Sequence, residues 1–243
     1  MFEAAYHAQY ANSDMLRAIL KGNLEETKRA VGNGANIDYS PMDASVLLVA
    51  GIEKKWDIVD YLLDEGANIN ARNSFNLGIL HLLCKDGPLD LVEKLVSMGT
   101  LINTKDNDLE TPFAVAVKNN RHDIVDYFLD ITTIDFTSAD KHGKTTLHYA
   151  AQLGLKDMFM KLWYHGVDLS LRDNKNNTAI DYIKDEEWKR ELPEFEKQII
   201  QELKKQEEKN EVISNSATVQ EIKDTLKATG ISSIKRRVAQ KLN

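Results

Sequence analysis

Apolar residues along this chain fall into short runs at helical spacing, and turn-forming residues separate one run from the next. The stretch that begins at Asp140 shows this best, because two such runs follow each other on either side of Gly154. Their apolar positions are Leu147, Ala150 and Ala151 in the first run and Met158, Phe159, Leu162 and Trp163 in the second. Spacings of three and four residues place these side chains on one face of a helix. Thr145 is a suitable N-cap for the first helix, and Gly154 and Gly166 are suitable stops.

The same pattern recurs at a nearly constant period. Equivalent positions are Gly22, Lys54, Gly87, Asn120 and Gly154, which gives steps of 32, 33, 33 and 34 residues. Twelve residues after four of these positions stand Gly34, Gly66, Gly99 and Gly166. Repetition at one period predicts a stack of helix-turn-helix units, in which each unit buries its apolar face against its neighbours.

Residues 140–154 resemble the signature of the ankyrin repeat family at nearly every position, with Thr146 where the family usually has proline. Pro112 keeps that proline in the preceding unit, and Leu80 with His81 keeps the Leu-His pair one unit earlier. The resemblance implies an all-α, ankyrin-type helix-turn-helix solenoid of about six units including its caps. A helical C-terminal extension follows it.

The repeat predicts the following boundaries. A short N-terminal helix occupies 1–12, the array occupies 13–185, and the extension occupies 186–243. Within the array we expect a degenerate cap at 13–39, four units at 40–72, 73–105, 106–139 and 140–172, and a shortened last unit at 173–185.

The extension is predicted to form amphipathic helices. Its apolar stripes are Phe195, Ile199 and Leu203, then Val219, Ile222 and Leu226, then Ile231, Ile234, Val238 and Leu242. One interpretation is that these helices cover the open end of the stack, which otherwise exposes an apolar face. The other is that they bind a second partner. Leu192, Pro193 and Glu194, followed by Ile199, Ile200 and Leu203, faintly resemble the start of an F-box.

Composition and charge narrow the expected partners. The formal charge of −7 and the pI of about 5.4 argue against nucleic acid or an anionic membrane. We find no basic segment with a long apolar run at the N-terminus and no apolar stretch long enough to span a membrane. Cys84 is the one cysteine, which indicates a reducing compartment. We therefore expect a monomeric cytoplasmic protein, delivered into a host cytosol if it is bacterial.

Candidate catalytic or metal-binding residues have structural interpretations. His81 and His148 occupy the histidine position of the Leu-His pair, where the resemblance implies hydrogen bonds to the backbone between neighbouring units. Cys84 falls at a small, buried position of the repeat, and a free cysteine there acts as a small apolar side chain. No phosphate-binding glycine loop, paired cysteines or nucleophile elbow is present. We expect neither a cofactor nor a metal. Asn70 and Asn103 resemble the loop asparagine that is hydroxylated in some family members and that commonly caps the loop.

The resemblance also implies where a partner would bind, since turn tips and the exposed side of each first helix form the binding surface of such stacks. The candidate residues are Met42, Ile52, Glu53, Phe75, Leu77, Asp86, Asp108, Glu110, Lys118, Lys141, His142, Lys144 and Leu153. Apolar tips such as Phe75 and Leu77 favour a contact surface, although both could pack on the neighbouring hairpin instead. Trp56 and Trp163 are interpreted as packing residues.

These observations predict a non-enzymatic module that binds a partner protein. Three versions are consistent with the sequence. The chain could be an adaptor or inhibitor that masks one target. It could be a two-headed adaptor or bacterial effector whose C-terminal helices recruit a second, F-box-like partner. It could also be an enzyme with a site where the array meets the extension, although no cluster of reactive residues supports that version.

Overall fold

A computed structural model describes residues 2–131, 133–198 and 201, with side chains described from Tyr10 onward. Helices account for the regular structure of these residues, and the described part contains no strand, so the predicted all-α class is confirmed. The helices are α1 (Phe2–Lys21), α2 (Leu24–Gly32), α3 (Val46–Ile52), α4 (Trp56–Asp64), α5 (Ile79–Asp86), α6 (Leu89–Ser97), α7 (Pro112–Lys118), α8 (His122–Leu129), α9 (Thr146–Gln152) and α10 (Lys156–Tyr164). A 3-10 helix (Ala179–Tyr182) follows, and a last helix begins at 186 and continues through 198.

The chain divides into two compact units, Met1–Ile124 and Val125–Asn243, and the division falls within α8. In the first unit, α1 pairs with α2, α3 with α4, and α5 with α6. The first helices of these hairpins also contact one another in order, from α1 to α3, α5 and α7. In the second unit, α9 contacts both α10 and the 3-10 helix. This is the helix-turn-helix arrangement that the period predicts.

Helix starts follow the cap chemistry of the sequence. The Ser45 side chain accepts a hydrogen bond from the Leu48 backbone N–H at 3.4 Å, and Thr111 accepts one from Ala114 at 3.2 Å. The equivalent residue before α5 is Gly78, which offers no such acceptor. Its backbone is nevertheless extended, like that of the other caps, with φ −109° and ψ 169°.

Two elements differ from the sequence-based expectation. The helix predicted over 1–12 is the beginning of α1, which runs without a break to Lys21. The closing helix predicted at Thr178 is a single 3-10 turn. Trp56 and Trp163 are half-buried, and the Trp163 ring packs against Phe159 and Phe195, with 6.5 Å and 5.4 Å between ring centroids.

The last described helix packs on the final hairpin of the second unit. Asp185 caps it, since its carboxylate accepts hydrogen bonds from the backbone N–H groups of Glu187 at 2.9 Å and Trp188 at 3.1 Å. The Trp188 ring lies edge-on to Phe159 of α10, with 5.2 Å between ring centroids. Leu192 is buried in the same helix.

The described part of the extension thus supports the interpretation that it covers the stack. Ile199, Ile200, Leu203 and the second and third predicted helices lie outside the described residues.

Candidate partner-binding surface

The turn tips of the first unit are the turns that precede α3, α5 and α7. Side-chain hydrogen bonds fix the backbone of the last two. The Asn73 side-chain oxygen accepts hydrogen bonds from the backbone N–H groups of Phe75 and Leu77, both at 3.0 Å. In the next turn, the Asp106 carboxylate accepts hydrogen bonds from the backbone N–H groups of Asp108 and Glu110, both at 2.9 Å. These bonds hold each tip in one conformation, so its side chains project from an ordered turn.

Neighbouring tips in this unit are also bonded to each other. The Asn107 backbone N–H donates to the carbonyl oxygen of Phe75 at 2.9 Å, and its side-chain amide donates to that of Ser74 at 2.9 Å. One turn earlier, the Ser74 backbone N–H donates to the Asp43 carboxylate at 2.9 Å. Hydrogen bonds from Ser74 hold the pKa of Asp43 below its usual value, so this carboxylate stays ionised.

Three successive tips of the first unit present apolar side chains to solvent. Met42 is 100% exposed, Phe75 is 67% exposed and Leu109 is 46% exposed. The exposure of Phe75 disagrees with the interpretation that it packs on the neighbouring hairpin. Leu77, in contrast, is half-buried. Exposed apolar residues that cluster in this way usually mark a contact surface.

Two of these apolar residues have left-handed backbones. Met42 and Leu109 both have φ 61°, a region that glycine and asparagine adopt more easily than other residues. At the positions equivalent to Leu109, three other turns have Asn76, Gly143 and Asn176, all with positive φ, and the first turn has Asp43. Leu109 was not among the site residues expected from the sequence. The signal was available, since the repeat alignment places a leucine where the other units have asparagine, glycine or aspartate.

The ends of the first helices contribute a second row of candidate residues. Ile52 and Glu53 are exposed at the end of α3. Asp86 is paired with Lys54, with 2.9 Å between the ammonium nitrogen and the carboxylate oxygen.

Glu110 and Lys118 form an ion pair with each other. The Glu110 side chain is largely buried, so this pair is part of the fold as much as of the surface. The other predicted acidic residues, Glu53, Asp86 and Asp108, are exposed.

In the second unit, the predicted site residues are mostly basic. Lys141, His142 and Leu153 are exposed. Lys144 is already engaged, because its ammonium group bonds to the Gln152 side chain and lies 4.4 Å from the centroid of the Tyr182 ring. The tips of the two units therefore differ in chemistry.

The candidate reactive residues have structural environments. Cys84 is fully buried, and burial raises the pKa of its thiol far above the ordinary value, so the thiol stays protonated. His81 and His148 are buried, and desolvation lowers the pKa of both rings. Among the described residues, no group of histidine, cysteine and carboxylate side chains is arranged to hold a metal ion.

Asn70 has the capping role that its position indicates. Its side-chain oxygen accepts a hydrogen bond from the Leu101 backbone N–H at 3.1 Å, which ties one loop to the loop 31 residues later. No helix in the described part of the chain is long and apolar enough to span a membrane.

Comparisons with known proteins agree with this architecture. Residues 80–173 match the family model described as ankyrin repeats (3 copies), and residues 44–74 match the model described as ankyrin repeat.

Several proteins from distant organisms are similar to this chain. It is 30% identical over 130 residues to an ankyrin repeat protein of Fowlpox virus, which covers 52% of the chain and 66% of that protein. It is 29% identical over 140 residues to an ankyrin repeat-containing protein of Schizosaccharomyces pombe, covering 56% of the chain and 66% of the relative. It is 32% identical over 100 residues to alpha-latroinsectotoxin-Lt1a of Latrodectus tredecimguttatus, covering 41% of the chain and 7% of the toxin. The match thus spans about two thirds of the first two proteins and a small part of the third.

Proposed function

Because this chain belongs to the ankyrin repeat family, we propose that it is a non-enzymatic module that binds a partner protein through the turn tips of its first unit. Ankyrin repeats indicate a protein–protein interaction module. The observation that carries the assignment to these tips is the exposure of Met42, Phe75 and Leu109 on three successive ordered turns. Ile52, exposed at the end of α3, extends the same apolar character to a first helix.

Rigid tips favour binding because little conformational freedom is lost when a partner docks. The side-chain caps from Asn73 and Asp106 and the bonds between neighbouring turns already order the backbone. When a partner buries an apolar side chain on such a turn, the burial favours binding, and little conformational entropy of the turn is lost. Aromatic residues and methionine are the types enriched at the centres of protein interfaces.

We propose further that the chain acts as an adaptor or as an inhibitor that masks one target. It would act in the cytoplasm and be a monomer when it is free of the partner. Cys84 is the one cysteine of the chain, which supports a reducing compartment. The acidic net charge supports a protein partner over nucleic acid.

Affinity capture with the full chain tests the proposal. The bait proteins are the wild type, a Met42→Ser/Phe75→Ser variant and a matched Met98→Ser/Leu101→Ser control. The control residues are apolar and exposed in the same unit, but they follow α6 instead of occupying a turn tip. Each variant is first checked for a wild-type unfolding curve by circular dichroism.

We expect recovery of the captured partner to fall at least about tenfold with the tip variant, since a few anchor residues carry most of the binding energy. The control should recover the wild-type amount. If both variants capture the partner as well as the wild type does, or if both lose it equally, the turn tips are not the binding site. A partner lost only when the chain ends at Lys184 would assign binding to the C-terminal extension.

A further inference from the structure

The negative charge of the chain is concentrated in its first unit. Residues 1–124 contain 18 aspartate and glutamate residues against 12 lysine and arginine residues, a formal charge of −6. Residues 125–243 contain 20 against 19, a formal charge of −1. A partner of the first unit therefore meets a strongly acidic body, which attracts positive segments and repels negative ones.

Carboxylates stand directly beside the apolar tips. Asp43 follows Met42, and Asp108 precedes Leu109. Both aspartates are exposed, and the hydrogen bonds from Ser74 favour the ionised form of Asp43. At the end of α3, exposed Glu53 follows exposed Ile52 in the same way. Met42, Ile52 and Leu109 thus each have an acidic neighbour in sequence.

Lysines on the same surface are largely engaged with its own carboxylates. Lys54 pairs with Asp86, and Lys118 pairs with Glu110. Lys85 adds one further exposed positive charge. These pairs reduce the positive charge that is available to an acidic partner.

The backbone at Leu109 gives an independent indication that an apolar residue is required at this tip. A left-handed leucine costs on the order of 1 kcal/mol relative to a residue that tolerates the conformation. Asparagine or glycine stands at three of the four equivalent positions, and Asp43 stands at the fourth. Strain of this kind is typical of functional sites, where it is retained for a contact rather than for stability.

On the basis of the function proposed above, we infer that the partner segment on the first unit is cationic and amphipathic. Its apolar side chains contact Met42, Phe75 and Leu109, and its lysine or arginine side chains face Asp43 and Asp108. The tips of the second unit have the opposite character, with Lys141 and His142 exposed. A segment of this chemistry therefore discriminates between the two sets of tips.

Selection from a random peptide library displayed on phage tests this inference directly, because the library samples every charge and hydrophobicity class. The full-length chain is the bait, beside the Phe75→Ser variant. A second variant, Asp43→Asn/Asp108→Asn, removes two charges at the tips and keeps a side-chain oxygen at each position. Its matched control, Asp57→Asn/Glu93→Gln, removes two exposed charges from second helices of the same unit.

We expect the enriched peptides to carry net positive charge together with leucine, isoleucine or aromatic residues. Affinity of a selected peptide should fall about fivefold with the Asp43→Asn/Asp108→Asn variant and should fall again at high salt. The control variant should bind as the wild type does.

Other results separate the two proposals. Enrichment of neutral or acidic peptides that still require Phe75 would overturn the inference and leave the proposed function standing. Equal binding by the wild type and the tip charge variant would also overturn it. Peptides that bind regardless of Phe75, or no enrichment above background, would overturn both.

Discussion

The imidazole Nε2 of His148 lies 3.2 Å from the carbonyl oxygen of Asn177, a residue 29 positions later in the following turn. Nδ1 of the same ring accepts a hydrogen bond from the Thr145 backbone N–H at 3.1 Å. A neutral ring protonated on Nε2 makes both bonds at once, whereas a doubly protonated ring cannot accept at Nδ1. His81 makes the corresponding pair of bonds in the first unit.

This arrangement predicts that the fold loses stability in mild acid. Desolvation lowers the pKa of His81, His148 and His165 below the ordinary value of 6.5. The unfolded chain therefore binds protons at a higher pH than the folded chain does. The free energy of unfolding should fall as pH decreases from about 6.5 towards the lowered pKa values, and it should be insensitive to these groups above that range. Urea unfolding measured near pH 7.5 and near pH 5 checks this.

Two variants identify the source of the pH effect. His148→Gln should reduce the pH dependence, because the protonatable ring is lost. His142→Gln removes an exposed tip histidine and serves as the control variant. A urea midpoint for the wild type that does not change across this range would contradict the prediction.

Thr146→Pro should stabilise the second unit. The Thr146 hydroxyl oxygen is buried and has no hydrogen-bond partner among the described residues. Pro112 occupies the same first position of α7, and the extended backbone of Thr145, with φ −89° and ψ 173°, is compatible with a following proline. We expect the free energy of unfolding to rise by about 1 kcal/mol. The reciprocal change, Pro112→Thr, should lower it, and an unchanged or lower midpoint for Thr146→Pro would disprove the argument.

Leu109→Asn should raise stability and weaken binding together. Asparagine tolerates the left-handed backbone at φ 61°, so the free energy of unfolding should increase by roughly 1 kcal/mol. Loss of the apolar side chain should at the same time reduce affinity for a peptide selected on the wild type. Asn76→Leu is the matched opposite change and should lower stability. A Leu109→Asn protein that is less stable than the wild type would show that the leucine serves the fold.

Trp188→Ala should destabilise the second unit strongly. The side chain is 3% exposed and contacts Phe159, so its removal leaves a cavity between the last described helix and α10. Large aromatic truncations of this kind cost about 3 to 5 kcal/mol. Trp56→Ala, at a half-buried tryptophan, should cost less. Hydrogen exchange of α10 amides gives the local readout, and wild-type protection in Trp188→Ala would argue against a covering role for this helix.

The sequence predicts the exposure of some site residues correctly and that of others incorrectly. Met42 and Phe75 were predictable as exposed apolar tips, because their positions in the repeat place them on the turns. Leu77 was not distinguishable from Phe75 at that level, although it is half-buried. Glu110 and Lys118 were both expected on the binding surface, but their pairing with each other across eight residues was not.

The sequence by itself determined the repeating unit, the helix class and the environments of Cys84, His81 and His148. The repeating unit and the helix class depend on short-range rules, namely helical spacing, side-chain caps and the conformations open to glycine, which act within about one turn of the chain. The environments of the three side chains follow from their positions in the repeat, because equivalent positions meet equivalent neighbours in every unit.

Only the tertiary structure decided the continuity of α1, the left-handed backbone of Leu109 and the burial of Trp188. Each of these depends on packing between segments or on how a turn closes, and similar sequence patterns are compatible with more than one outcome. The physical reason is that a side chain's exposure depends on what the neighbouring units place against it, about one period away in sequence.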